Sequence, residues 1–244
     1  MSRGLAEERW RRPGNCTMAD EPLTRENLKT PRAAAIAGML FSALLIAVFW
    51  LLRVSLPADP QEPGSWLRTN SSTIALALNL VPFAGIAFLW FIGVLRDRLG
   101  QLEDRFFATV FFGSGILFLG MLFVAAAMVG GIMIAFATRP EELVNSATFH
   151  VARATAYNLV NIYMIKMAGV FMITASTLAL RTAFAPRWLA IAGYILAVLL
   201  LIGSYYISWS FVVFPVWVFL ISFYILRDNL RLSSQARWER ERRS

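Results

Sequence analysis

Residues 106–136 read FFATVFFGSGILFLGMLFVAAAMVGGIMIAF, 31 consecutive positions without a charged side chain. Wound as an α-helix the run is about 46 Å long, more than the roughly 20 residues that a hydrocarbon layer of about 30 Å requires. A helix on a soluble core keeps a polar face, and this one has none. Water is absent from a bilayer interior, so a crossing backbone must pair its own N–H and C=O groups, which a continuous helix does. The run therefore predicts a membrane span whose surplus length goes into tilt or an interfacial first turn.

Working outward, five more runs read the same way. The predicted spans are Ala33–Leu52, Thr73–Leu95, the run just quoted, Ala154–Leu180, Trp188–Tyr205 and Ser210–Leu226. The last two come from 39 nearly uninterrupted residues, about 58 Å of helix, which must turn back once. Ser204 to Ser210, reading SYYISWS, is the most polar stretch there and is rich in the aromatics that favour interfaces. The predicted fold class is all-α: a polytopic bundle of six transmembrane helices. Residues 1–30 form a flexible cytoplasmic tail, 31–226 the membrane domain and 227–244 a basic cytoplasmic tail.

Composition agrees. Of 244 residues, 58% are hydrophobic and only 16% charged, whereas soluble domains have about a quarter of their residues charged. A single cysteine, Cys16, excludes an internal disulfide framework. The net charge of +8 invites a nucleic-acid reading, but its distribution removes the need for one. The amino-terminal tail, the second and fourth loops and the carboxyl tail together hold 18 basic residues, against 4 in the first and third loops (Arg53, Arg68, Arg139, Arg153). The asymmetry predicts that both termini are cytoplasmic, with added attraction to anionic headgroups. The first 30 residues lack an apolar core, so no signal peptide is expected, and Met18 is an alternative start.

Lys166 is the only Asp, Glu, Lys, Arg or His within the six spans. Counted from Ala154 it lies about 18 Å deep, where burying a charge costs several kcal/mol, about 3 on insertion scales. No span contains Asp or Glu, so its charge must meet water, carbonyl oxygens, an anion or a lipid phosphate. The bland alternative is a lysine in a hydrated crevice or against a partner subunit, with no substrate. The same predicted helix carries Asn158 and Asn161, joined by Tyr157, Tyr163, Thr174, Ser176 and Thr177. At 100° per residue Lys166 lies about 80° from Asn158 and Asn161 about 60° to the other side, one broad polar face. This face is expected to turn inward, toward Asn79 and Pro82 of the second span. A polar cavity formed by Lys166, Asn158, Asn161 and Asn79 is the candidate substrate- or lipid-binding site, and interhelical hydrogen bonding without a ligand is its structural alternative.

Other features carry less chemistry. His150 is the sole histidine, which excludes a bis-histidine haem within one chain and leaves zinc without its usual ligands; no metal or cofactor is expected. Gly113-Ser114-Gly115 resembles a rhomboid-type serine motif only superficially, because Phe112 stands at its first position and His150 belongs at the opposite membrane face. Ala126-x-x-x-Gly130 and Ala127-x-x-x-Gly131 read as surfaces for close helix approach. Thr138 before Pro140-Glu141-Glu142 predicts a short capped helix outside the membrane, and Pro186-Arg187-Trp188 opens the fifth span.

The stretches Gly93-Val94-Leu95-Arg96-Asp97-Arg98-Leu99-Gly100, Glu103-Asp104-Arg105-Phe106-Phe107 and Pro186-Arg187-Trp188-Leu189-Ala190 resemble parts of uncharacterised bacterial multi-pass inner-membrane proteins. The resemblance covers about the middle half of the chain. It implies the bacterial inner membrane and supplies neither an activity nor site residues. Three functions follow as expectations: a non-enzymatic membrane component that binds lipid, a membrane-protein partner or further copies of itself; a small transporter or channel for an anionic or polar solute, using a cavity around Lys166; and a lipid-modifying enzyme, which the missing carboxylates disfavour.

Overall fold

The computed structural model describes residues 30–55, 65–99, 105–182, 185–203 and 210–242. Every regular element among them is helical. The helices are α1 (Thr30–Ser55), α2 (Ser65–Thr69), α3 (Ser71–Leu99), α4 (Arg105–Thr138), α5 (Pro140–Val144), α6 (Ala147–Asn158), α7 (Ile165–Thr182), α8 (Arg187–Gly203) and α9 (Ser210–Glu241), with a π-helical turn at Leu159–Met164 joining α6 to α7. Five helices are long and apolar enough to cross a membrane: Arg32–Ser55, Ser71–Arg96, Phe106–Thr138, Ala147–Arg181 and Ser210–Arg231. The sixth apolar helix, Arg187–Gly203, has 17 residues, about 25 Å. The expected polar turn after it, residues 204–209, lies outside the described residues, as do the amino-terminal tail and the end of the second loop.

Aromatic rings hold the long helices together. Phe88 of α3 lies 4.4 Å from Phe41 of α1, 5.4 Å from Phe118 of α4, 5.3 Å from Phe171 of α7 and 5.8 Å from Phe214 of α9, centroid to centroid. All five side chains are buried. Hydrocarbon is as apolar as these rings, so the cluster is stabilised by close packing and ring geometry rather than by escape from water.

Glycine sets how near the backbones come. A Cβ at Gly38 in α1 would overlap the Ser222 hydroxyl of α9 and lie 2.8 Å from the Phe91 ring of α3. One at Gly193 in α8 would overlap the Ser176 hydroxyl of α7 and lie 2.8 Å from Nε1 of Trp217, which donates to the Leu189 carbonyl at 3.4 Å. The small-residue motifs expected to pack divide: Ala126 and Gly130 are half-buried, with Leu78 of α3 3.8 Å from a Cβ at Gly130. Ala127 and Gly131 of α4 are exposed, and a Cβ at Gly131 meets nothing within 4 Å. Gly115 of α4 faces inward instead: a Cβ there would lie 2.6 Å from Ile92 of α3 and 3.3 Å from the Phe171 ring of α7.

Polar side chains close the corners. Asn70, between α2 and α3, donates from Nδ2 to the Ser55 carbonyl at 3.0 Å and so satisfies an orphan acceptor at the end of α1. Ser146 caps α6, its hydroxyl accepting from Phe149 N at 3.2 Å. The short helix after α4 is present, but Thr138 does not cap it: its hydroxyl donates back to Ile134 O at 2.8 Å. Arg139 occupies the cap position without a side-chain bond to the helix backbone, because Thr138 is still the last residue of α4.

Neighbouring helices run antiparallel. Phe41–Phe88 pairs α1 with α3, Phe49–Phe211 pairs α1 with α9, Arg96 over the Phe112 ring pairs α3 with α4, and Arg181 over the Phe107 ring pairs α4 with α7. Arg32, Arg96, Arg181, Arg187 and Arg227 thereby gather at one end of the bundle. Arg53, Arg68, Arg139 and Arg153 lie at the other, beside Glu141 and Glu142.

Candidate functional site

The site begins with a change of helical register. In an uninterrupted α-helix Lys166 would sit about 80° from Asn158. The π turn at Leu159–Met164 inserts one residue into a turn, which moves everything after it back by about 100° and leaves the two side chains about 20° apart. Val151, Ala154, Asn158, Tyr163, Lys166 and Leu180 are exposed along this line, while Ala156, Met164, Ile165, Ala168, Phe171, Met172 and Ala175 are buried on the other side. Buried positions drive the arrangement: Met164 and Ile165 belong to the same core as Phe118 of α4.

The polar face of α6 and α7 therefore points away from the bundle, contrary to the sequence expectation that it turns inward. Lys166 and Asn158 are exposed, and Asn161 is half-buried. Asn79 on α3 is also exposed, its Nδ2 donating to Ala75 O of its own helix at 3.0 Å. Asn161 does the same to Tyr157 O at 3.0 Å, and Thr155 to Val151 O at 2.8 Å. These local bonds let short polar side chains sit in an apolar medium without a partner from another helix. Among the described residues the four side chains lie on the outer surface of the bundle rather than around a shared interior cavity. The physical reason is packing: phenylalanine, methionine and alanine fill the bundle interior, and the polar side chains are left with the outer surface.

Lys166 and Asn158 differ from the rest. Their side chains take part in no hydrogen bond or ion pair among the described residues. Depth separates them from the surface charges. Arg32 and Arg53 of α1 are 21 residues apart, about 32 Å, which matches one hydrocarbon thickness. Measured the same way from Arg181, Lys166 lies about 22 Å along its helix, Tyr163 about 27 Å and Asn158 about 34 Å. A hydrocarbon layer of about 30 Å that began at Arg181 would end about 8 Å beyond Lys166 and level with Asn158. The sequence count of about 18 Å ran from Ala154, whereas the helix itself continues outward to Ala147. From 8 Å a lysine can carry its ammonium to the interface with its methylenes still in hydrocarbon.

Aromatics mark the same level. Tyr163 and Tyr157 are 55% and 63% exposed on this helix, as expected for rings with an apolar body and a hydroxyl that seeks the headgroup layer. Trp50 of α1 is exposed near Arg53 at a comparable height. The sequence already joined Tyr157 and Tyr163 to Asn158 and Asn161 on this helix; their exposure on its outer surface is what the structure adds. Ser114 and His150 do not form a pair: Ser114 is buried and donates to Phe111 O at 3.1 Å, while His150 is exposed on α6. Among the described residues no cluster of three or more His, Cys, Asp or Glu is placed to hold a metal. No family model, curated protein or solved structure matches the chain.

Proposed function

We propose that this is a non-enzymatic integral membrane protein that binds phospholipid on the outer face of α6 and α7, with the Lys166 ammonium rising to a lipid phosphate and Asn158 and Tyr163 bonding the headgroup. One observation carries the reading: Lys166 is exposed on the outside of the bundle, without a side-chain partner among the described residues, within reach of one hydrocarbon edge. A phosphate there supplies the counter-charge that no span of the chain contains. The polar-solute transporter of the sequence analysis would need its path between this chain and a neighbour, since these side chains face outward.

The topology belongs to the same proposal. Six helices cross the bacterial inner membrane, counting α8 as the shortest, and the arginine-rich end faces the cytoplasm together with both termini. Cysteine introduced at Arg98 is expected to react with a membrane-impermeant thiol reagent only after the cells are opened, and cysteine at Glu141 in intact cells. Labelling of both from outside would overturn this topology.

For the site, the detergent-solubilised protein is expected to retain a phospholipid detectable by native mass spectrometry. Lys166→Met should lower that occupancy about 5-fold, on the scale of about 1 kcal/mol for one basic residue near a charged lipid surface, and Lys166→Arg should keep it, with thermal unfolding unchanged in both. Equal lipid retention by wild type and Lys166→Met would remove the reading.

A further inference from the structure

The carboxyl-terminal half of α9 presents a second surface, independent of Lys166. Phe219, Leu220, Phe223, Arg227, Leu230 and Arg231 are exposed along one face of that helix. Phe219 and Phe223 stack with their centroids 6.3 Å apart and their planes within 11°, so two rings make a continuous flat wall. Below them an open cavity of about 380 Å³ is lined by Phe223, Leu226, Arg227, Leu230 and Arg231. The buried side of the helix, with Trp217, Val218, Ile221 and Ile225, faces the bundle core.

Height decides what this groove fits. From Ser210, Phe223 lies about 20 Å along α9, Arg227 about 26 Å and Arg231 about 32 Å. The two guanidinium groups therefore bracket the edge of a hydrocarbon layer of about 30 Å, one turn apart, with the aromatic wall immediately on its apolar side. Apolar wall and paired cations at the boundary are complementary to one molecule that is itself apolar below and anionic above. Asp228, on the same helix, is exposed beside Arg227 and adds one negative charge to the rim. Helices packed against α9 bring Arg32 of α1, Arg181 of α7 and Arg187 of α8 to the same end, all exposed, so the local balance stays positive.

We infer that this groove is a binding site for an anionic phospholipid of the leaflet at the arginine-rich end, its acyl chain along Phe219 and Phe223 and its phosphate between Arg227 and Arg231. A planar guanidinium can donate two parallel hydrogen bonds to phosphate oxygens, which favours arginine over lysine at such a position. A phosphodiester bearing a neutral glycerol headgroup keeps its net negative charge, whereas a choline headgroup cancels it and places a cation against the arginines. The site therefore discriminates by headgroup charge.

The test uses the full-length protein in detergent, titrated with phosphatidylglycerol or phosphatidylcholine and read as lipid adducts by native mass spectrometry. Phosphatidylglycerol is expected to bind at least about 5-fold more tightly. Arg227→Gln should weaken it about 5-fold and Arg227→Gln with Arg231→Gln about 25-fold, following the contribution of a basic residue near an anionic lipid. Phe223→Ala should weaken both lipids alike, and soluble glycerol phosphate should not compete, because it lacks the chain the wall accommodates. Arg187→Gln, on α8 at the same end, should leave the titration unchanged. Equal affinity for the two lipids, or as large a loss from Arg187→Gln as from Arg227→Gln, would overturn the assignment in favour of diffuse charge attraction. Competition by glycerol phosphate would overturn it in favour of a soluble anion. Neither result bears on Lys166, whose site lies at the other membrane edge.

Discussion

Gly38→Leu is expected to detach α1 from the bundle. At this position the α1 backbone meets two helices at once, and even a methyl group would overlap the Ser222 hydroxyl of α9 and press on the Phe91 ring of α3. Neither obstacle is the free end of a flexible chain: Phe91 and Ser222 are both buried. Overpacking a tight core costs about 1–3 kcal/mol for small additions and more for large ones. Gly38→Ala should therefore lose about 2 kcal/mol and Gly38→Leu more than 3, measured as the shift in a reversible detergent-denaturation midpoint.

The pair offers an internal control. Ser222 Oγ has no hydrogen-bond partner among the described residues, so removing the hydroxyl forfeits no bond there, and an unpaired buried hydroxyl is itself unfavourable by about 1–3 kcal/mol. Gly38→Ala combined with Ser222→Gly should regain at least half of the loss, the remainder being the clash with Phe91. Additive behaviour of the two substitutions would show that α1 and α9 do not meet at this crossing.

Phe88→Ala has the second largest expected effect. The ring lies at the meeting point of α1, α3, α4, α7 and α9 and is fully buried. In a water-soluble core such a truncation costs about 3–5 kcal/mol, the sum of a transfer term and a cavity term. Here the transfer term is largely missing, since a phenylalanine freed from the bundle enters hydrocarbon rather than water. What remains is the cavity and the lost ring contacts, about 2 kcal/mol. Phe88→Leu, which keeps most of the volume, should lose less than about 1.5 kcal/mol. If the surface-facing Phe219→Ala lowered the unfolding midpoint as much as Phe88→Ala, the ring cluster would not be the organising core.

The two proposed lipid surfaces share a design that follows from solvent rather than from sequence motif. Inside the bundle, methylene and ring packing leaves little room for polar groups, and those present are small, several of them bonded to their own helix: Ser42 to Gly38 O, Ser114 to Phe111 O, Thr174 to Phe171 O. Larger polar side chains are displaced to the periphery, where the only permissible heights are those from which they reach a headgroup. Lys166 and Arg227 meet that condition from opposite edges. Besides the Trp217 bond to the Leu189 carbonyl, a pair of side chains bridges helices: Thr177 of α7 and Tyr194 of α8, whose hydroxyls lie 2.6 Å apart. It fixes α8 beside α7 where the Gly193–Ser176 crossing brings the backbones together.

The helical architecture was legible in the chain because it depends on one local quantity, the length of uncharged apolar runs, and in hydrocarbon a helix is the only way for such a run to pair its backbone. The corner at Pro186 and the short helix at Pro140 were legible too, since proline acts on its immediate neighbours. Rotation about the helix axes was not. A soluble helix announces its buried face by hydrophobic periodicity, but a span with lipid on one side and packed rings on the other is apolar all round, so nothing in the order of residues told Gly38 and Gly193 from Gly131. For the same reason the polar face of α6 and α7 was assigned inward. Only the tertiary packing decided otherwise: accommodating Met164 and Ile165 beside α4 requires a π turn, and that single inserted residue carries Lys166 into line with Asn158 on the outer surface.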